Sequence, residues 1–221
     1  MTLNTTCRWR RVWASRSGSS STPRTTQLSL SCAHGKFRYR TGLTVRDALL
    51  NTYAGFMTDV RTSRLQLHPI DASEGERIVA KSPAPDDLWA DDFPFDGDVG
   101  AVGSFLHATA EGGEQTPFGF YRITSLADGR AIGGIGFKGK PNCGCVEVGY
   151  GLAPSARGHG YAAEALIALV AMAADNRVSR VIADTTRDNI ASQRTLIRAG
   201  FRLLGTDDEL HHYQLLLNIG H

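Results

Sequence analysis

Two adjacent stretches decide the reading of this chain. The first is Val146-Glu147-Val148-Gly149-Tyr150-Gly151-Leu152, an apolar run of strand character. The second is Ala156-Arg157-Gly158-His159-Gly160-Tyr161-Ala162, a glycine-rich turn with one arginine, followed at once by an alanine-rich helical pattern. A strand, a tight turn and a helix start in that order aim bare backbone N–H groups, and the positive end of a helix dipole, at one point. Glycine is more at home after a helix than before one. Two glycines at 158 and 160 therefore favour close backbone approach to an anion over a plain strand-to-helix turn. A Walker-type loop is excluded because no Gly-Lys-Ser/Thr follows. A dinucleotide fingerprint does not fit, because the turn follows the third strand of a β-run and not a first βαβ unit.

Outward from that turn the pattern is regular. Arg64–Pro69 alternates as a strand. Asp71-Ala72-Ser73-Glu74 resembles a capping box opening a helix that runs to about Lys81. An acidic, aromatic, proline-broken stretch spans residues 86–98, and a short helix is expected over Val99–Ala110. Phe118–Leu126 and Ala131–Lys138 read as strands joined by the turn Ala127-Asp128-Gly129-Arg130. The glycines at 133, 134, 136 and 139 suggest close backbone packing or a bulge. Val146–Leu152 is the next strand. Gly160–Ala174, apolar all round except Glu164, is expected to be a well-buried helix. Val178–Thr185 is a strand, Asn189–Ala199 a helix stopped by Gly200, and Phe201–Leu204 and His212–Leu217 close the chain as strands. The order β-α-α-β-β-β-α-β-α-β-β predicts a mixed α/β sheet in one domain, residues 57–221.

With 42% hydrophobic and 21% charged residues over 221 positions, the composition is that of an ordinary soluble globular protein, and no apolar run approaches the ~20 residues of a membrane helix. The net charge of +2 conceals a split. Residues 1–46 hold nine Arg or Lys and no Asp or Glu, leaving 15 basic against 22 acidic residues in 47–221, a net of −7. The basic, Ser/Thr/Arg-rich segment 1–56 is open to three readings: a disordered tail, a transit peptide, or sequence preceding a true start at Met57. A nucleic-acid-binding arm is a fourth, disfavoured by its sparse aromatics. The four cysteines show no metal-ligand spacing, so no metal is expected, and their small number fits a reducing, cytoplasmic setting.

Arg157–Ala162 fits the Arg/Gln-x-x-Gly-x-Gly/Ala signature of the GNAT N-acetyltransferases. Asn189-Ile190-Ala191-Ser192, then Leu196, then Ala199-Gly200-Phe201, resembles that family's second hallmark. Glu147-Val148-Gly149-Tyr150 and Thr62-Ser63-Arg64-Leu65-Gln66-Leu67 resemble strands of its ribosomal-protein (RimJ/RimL-like) branch. The resemblance covers about residues 60–217. It implies an acyl-CoA N-acyltransferase-like fold, a mostly antiparallel sheet flanked by helices, and acetyl transfer from acetyl-CoA to a primary amine, a protein N-terminus or a small molecule. Homodimers are common in the family. The backbone of Arg157, Gly158, His159, Gly160, Tyr161 and Ala162 would hold the pyrophosphate, with Arg157 adding charge-assisted bonds. Gly149 and Gly151 flanking Tyr150 suit a bulge that breaks pairing, so that backbone groups of Tyr150 and Leu152 line the site, one N–H stabilising the oxyanion. Asn189 is either a plain helix cap or a pantetheine contact as well.

Glu147, in an apolar strand where burial would raise its pKa, is the candidate general base, acting through a water; the alternative is a paired surface carboxylate. The family's commonest acid, a helix tyrosine, is replaced here by Leu196. Ser192, one turn earlier, is the candidate acid or thiolate donor. The acidic stretch 86–98 and Trp89, Phe93 and Phe95 could draw in and wall a cationic acceptor, or form solvated surface. A silent acyl-CoA-binding sensor remains the rival class.

Overall fold

In the computed structural model, residues 59–218 are described; the basic segment 1–56 and the start at Met57 lie outside them. The chain runs β1 (Val60–Arg61), β2 (Leu65–Pro69), α1 (Ala72–Val79), α2 (Asp96–Gly112), β3 (Phe120–Ser125), β4 (Ala131–Phe137) and β5 (Cys145–Leu152). A 3₁₀ turn at Pro154–Ala156 then leads to α3 (Tyr161–Asp175), β6 (Arg180–Thr186), α4 (Ile190–Arg198), β7 (Arg202–Thr206) and β8 (Leu210–Leu216). The eight strands form one sheet in the order β1-β2-β3-β4-β5-β6-β8-β7. β5 and β6 pair in parallel; the other neighbouring pairs among the described residues are antiparallel. This is the mixed, mostly antiparallel sheet that the sequence predicts, with a two-residue strand added at its edge.

Local chemistry explains the elements. β2 alternates buried and half-buried residues, its leucines Leu65 and Leu67 fully enclosed. Asp71 caps α1 by accepting from Glu74 N–H at 2.7 Å, as a capping box does. The Glu74 carboxylate does not complete the box: it pairs with Arg122 across on β3. β4 is buried along its whole length. Its glycines let β3 lie tight against it, since a Cβ at Gly134 would fall 2.1 Å from the Phe120 ring. A register shift between Ile123 and Thr124 places a bulge in this pair, opposite Ala131 and Gly133. α2 starts three residues earlier than Val99 and is 17 residues long, because Asp96 and Asp98 favour its first turn.

α3 is not buried all round. Ala165, Leu166, Leu169 and Ala173 face the sheet, whereas Ile167 is half exposed and Ala171 exposed. Alanine allows close packing on one side without demanding burial on the other, which an apolar-only reading misses. The helix is anchored at its first turn by Glu164. Its carboxylate accepts from Thr62 Oγ1 (2.6 Å), Ser63 Oγ (2.9 Å), Arg64 N (2.9 Å) and Arg64 Nε (2.7 Å). Burial alone would raise this carboxyl, but bonds from Thr62, Arg64 and Ser63 outweigh it and hold it at about 2. The chain entering β2 is thereby tied to the start of α3.

A carboxyl held below its ordinary value stabilises the fold above that value and loses the contribution as pH falls through the folded one. Glu164→Gln should therefore cost about 2 kcal/mol at pH 7, allowing for the exposure of Arg64. The deficit relative to the parent should shrink steadily from about pH 4.5 down to pH 2, which urea unfolding at several pH values measures.

Candidate functional site

The parallel ladder between β5 and β6 has only three rungs: Cys145↔Arg180, Val146↔Val181 and Glu147↔Ile182. Beyond Glu147 the strands part. β5 continues against β4 alone to Leu152, and β6 continues against β8 alone to Thr186. Pairing on the β4 side is regular: Lys138 N donates to Glu147 O at 2.8 Å, and Ala153 N to Ile132 O at 2.9 Å. In such a ladder alternate residues turn their main-chain groups to the partner. Those of Glu147, Gly149 and Gly151 face β4, and those of Val148, Tyr150 and Leu152 face the gap. β5 therefore carries no bulge. Its open edge comes from the departure of β6, while the sheet's bulge lies between β3 and β4.

The gap leads to the glycine turn. Gly158 and Gly160 have φ of +83° and +79°, the left-handed region that glycine enters without Cβ strain. Gly160 is the N-cap of α3 and no side chain caps this helix, so its first N–H groups lie open at the positive end of a 15-residue helix. Two guanidinium groups converge there: a Cβ at Gly160 would sit 3.6 Å from Arg198 Nη1 and 3.7 Å from Arg64 Nη2. Arg64 also donates to His159 O at 3.0 Å and lies over the Tyr161 ring, bracing the turn. A groove of about 590 Å³ follows, lined by Arg64, His159, Gly160, Ala163, Ile167 and Arg198 among others.

The turn's own arginine is engaged within the protein. Arg157 Nε donates to Leu152 O at 2.9 Å, and its guanidinium lies over the Phe95 ring. It braces the strand end, and the cations beside the open N–H groups are Arg64 and Arg198, distant in sequence.

The faces of β5 separate the remaining candidates. Glu147, Gly149 and Gly151 point to the α2 side, where a Cβ at Gly151 would meet the Phe95 ring at 2.3 Å. Glu147 is half buried and ion-paired with Lys138, one strand over. As strand alternation predicts, Val146 and Val148 turn to the other face, which is buried, and Glu147 is left half buried. Past the last rung on this face lie Asp184 and its cross-strand partner His212. His212 Nδ1 is 2.7 Å from Asp184 and Nε2 is 3.2 Å from Asp207. The bond to Asp184 is the main cause of a raised imidazole pKa, which partial burial only partly offsets.

On the opposite face Tyr150 crosses the gap to α4. Its Oη lies 2.9 Å from Ser192 Oγ and 3.1 Å from Ser192 O. Asn189 caps α4, its Oδ1 accepting from Ser192 N at 3.0 Å, so the capping role is met. Leu196 is fully buried in the core.

The acidic stretch is mostly occupied by structural work. Asp87 pairs with Arg77, Asp91 with Arg130, Asp96 with Lys81, and Asp92 accepts from Ser155 N and Oγ at 2.7 Å each. Phe93 is core, edge-on to Trp89. Asp98 is buried at 2% exposure, with Oδ2 unpartnered among the described residues, and burial pushes its carboxyl up to about 7. Of the contacts missed in the sequence, Tyr150 to Ser192 and Arg64 and Arg198 at the turn join distant segments that no spacing rule announces, whereas Lys138 to Glu147 is a cross-strand pair nine residues apart.

The family model of the acetyltransferase (GNAT) domain matches residues 64–202. The chain belongs to the GNAT family. Among its relatives, the uncharacterized N-acetyltransferase YjdG of Bacillus subtilis (strain 168) is 38% identical over 84 residues, covering 37% of this chain and 50% of that protein. The chain thus matches about half the length of this curated relative. The structure of an acetyltransferase from Agrobacterium tumefaciens str. C58 aligns at 25% identity over 72% of this chain and 95% of its own, with a TM-score of 0.52. RimL, a ribosomal L7/L12 alpha-N-protein acetyltransferase solved with coenzyme A, shares the fold at 19% identity over 74% of this chain and all of its own, with a TM-score of 0.55. Among the described residues of this GNAT chain, no helix is long and apolar enough to cross a membrane.

A histidine held between two carboxylates contributes most below its ordinary pKa and loses that contribution as pH rises through the raised one. An NMR titration should place the His212 midpoint above 6.5, and Asp184→Asn should bring it back towards that value.

Proposed function

We propose that this protein transfers the acetyl group of acetyl-CoA to a primary amine by direct attack. The observation that carries this reading is the open edge of β5 leading straight into the uncapped, doubly cationic start of α3. A free strand edge suits an amide-bearing extended chain such as pantetheine, and the helix start suits its pyrophosphate. Backbone N–H groups of residues 157–162 would hold the pyrophosphate, assisted by Arg64 and Arg198 where the family signature suggests Arg157. Tyr150 and Leu152 would meet the pantetheine through their main chain, one N–H stabilising the tetrahedral oxyanion. The Asn189 carboxamide would donate to the same arm while its oxygen caps α4.

The two faces of β5 divide the proton work. Glu147 acts as general base through a water, and Lys138 orients its carboxylate. The neutral amine then attacks the thioester carbon; a C–N bond forms, the C–S bond breaks, and CoA leaves on the opposite face beside Ser192, which donates a hydrogen bond to the thiolate. The nitrogen loses one proton before attack and a second once the C–N bond has formed; one passes through Glu147 and its water to solvent, and the other ends on the CoA sulfur or in solvent. The net charge of −7 in residues 47–221 favours a cationic acceptor. The Glu147–Tyr150 strand, similar to that of the RimJ/RimL-like branch, favours a protein N-terminus as the acceptor, with small amines as the alternative.

CoA release followed with a thiol reagent, over a panel of N-terminal peptides, polyamines and amino acids, tests this reading. Release above hydrolysis with at least one amine is expected; tight acetyl-CoA binding with no release for any amine would mark a silent sensor. Glu147→Gln should lower kcat about 100-fold with acetyl-CoA binding within twofold of the parent.

A further inference from the structure

We infer that Tyr150 is a positioning residue for the departing thiolate: its phenol holds the Ser192 hydroxyl so that the serine proton can turn into the gap between β5 and β6. This rests on the acetyl-CoA reading above and adds a side-chain role to a residue otherwise implicated through its backbone.

Tyr150 stands three residues past the last β5–β6 rung and reaches α4 across the gap, its Oη 2.9 Å from Ser192 Oγ and 3.1 Å from Ser192 O. The Ser192 carbonyl can only accept; phenol and hydroxyl each bring one proton and can also accept. Thr195, whose hydroxyl proton goes to Ala191 O at 3.0 Å, can only accept from the phenol, and two arrangements satisfy the pair of contacts to Ser192. In one, the phenol donates to the carbonyl and Ser192 Oγ–H donates to the phenol, so that both protons are spent inside the protein. In the other, the phenol donates to Ser192 Oγ and the serine proton is released to the gap. Without an anion the first leaves no unmet donor in a half-buried place; an anion in the gap selects the second, because a charge-assisted bond is about twice as strong as a neutral one.

The phenol acts by hydrogen bonding and does not surrender its proton. Burial pushes it up to about 12, far above a thiol's ordinary value of about 8.5. Around it stand Ser192 and Thr195 of α4 and the Tyr213 phenol of β8. The helix position one turn on is the buried Leu196, which brings no hydroxyl. The strand thus supplies the phenol that this helix lacks.

The test reads the thiolate directly, without turnover. Dissociation constants for CoA, and for desulfo-CoA as the sulfur-free control, are measured by calorimetry at pH 6.5 and pH 9.5 on the full chain. For the parent protein, CoA should tighten about tenfold relative to desulfo-CoA between the two pH values, because the bound thiolate is favoured. Tyr150→Phe should reduce that gain to about twofold and leave binding at pH 6.5 within twofold. Ser192→Ala should do the same, and the double variant should be no worse than either single, since the two act as one unit. A full tenfold gain in Tyr150→Phe, or losses that multiply in the double variant, would overturn the inference. If the parent binds both ligands well but without the alkaline gain, the inference fails and the acetyl-CoA reading stands. If the parent binds neither ligand, both fall.

Discussion

Everything in this domain turns on a parallel strand pair that ends after three rungs. In most sheets a central strand satisfies its main-chain groups on both sides, and leaving them unmet in a half-buried place costs free energy. Here β5 keeps its ladder to β4 and loses β6 after Glu147↔Ile182. The open edge so created lies in the middle of an eight-stranded sheet, where it cannot be blunted as an outer edge is. The surrounding structure holds it open: β8 takes up β6 over its whole length, and α4, tied to Tyr150, props the far wall.

The same constraint places the charges. Because β5 runs out of its gap into Gly158 and Gly160, the strand edge and the uncapped start of α3 form one continuous line of polar backbone. Arg64 is held there by Glu164, which also secures the chain before β2, and Arg198 arrives from the last turn of α4. In the proposed function, fold stability and pyrophosphate binding would share residues, with the Glu164 network serving both.

The sequence was most legible where chemistry is local. Element order, the Asp71 cap, the glycine packing of β4 and the strand–turn–helix at 146–162 all follow from neighbours within a few positions, and the GNAT resemblance drawn from them agrees with the family match. It was least legible where partners are distant. Gly149 and Gly151 suggested a bulge because glycine in a strand is a local signal, whereas a ladder that stops short depends on the path of β6. The acids of 86–98 looked like a cationic lure, but Arg77, Lys81, Arg130 and Ser155 neutralise or bond most of them. Arg157, expected to assist a pyrophosphate, bonds the Leu152 carbonyl and lies over the Phe95 ring. Several of these contacts, such as Asp92 with Ser155 and Arg157 over Phe95, join segments remote in sequence.

If the gap between β5 and β6 holds the acyl-CoA chain, as proposed, a crystal structure of the protein with CoA will show pantetheine amides on the Val148–Leu152 edge, pyrophosphate oxygens about 3 Å from the N–H groups of residues 158–162, and the sulfur beside Ser192. CoA bound elsewhere, with the gap empty or closed, would refute that placement.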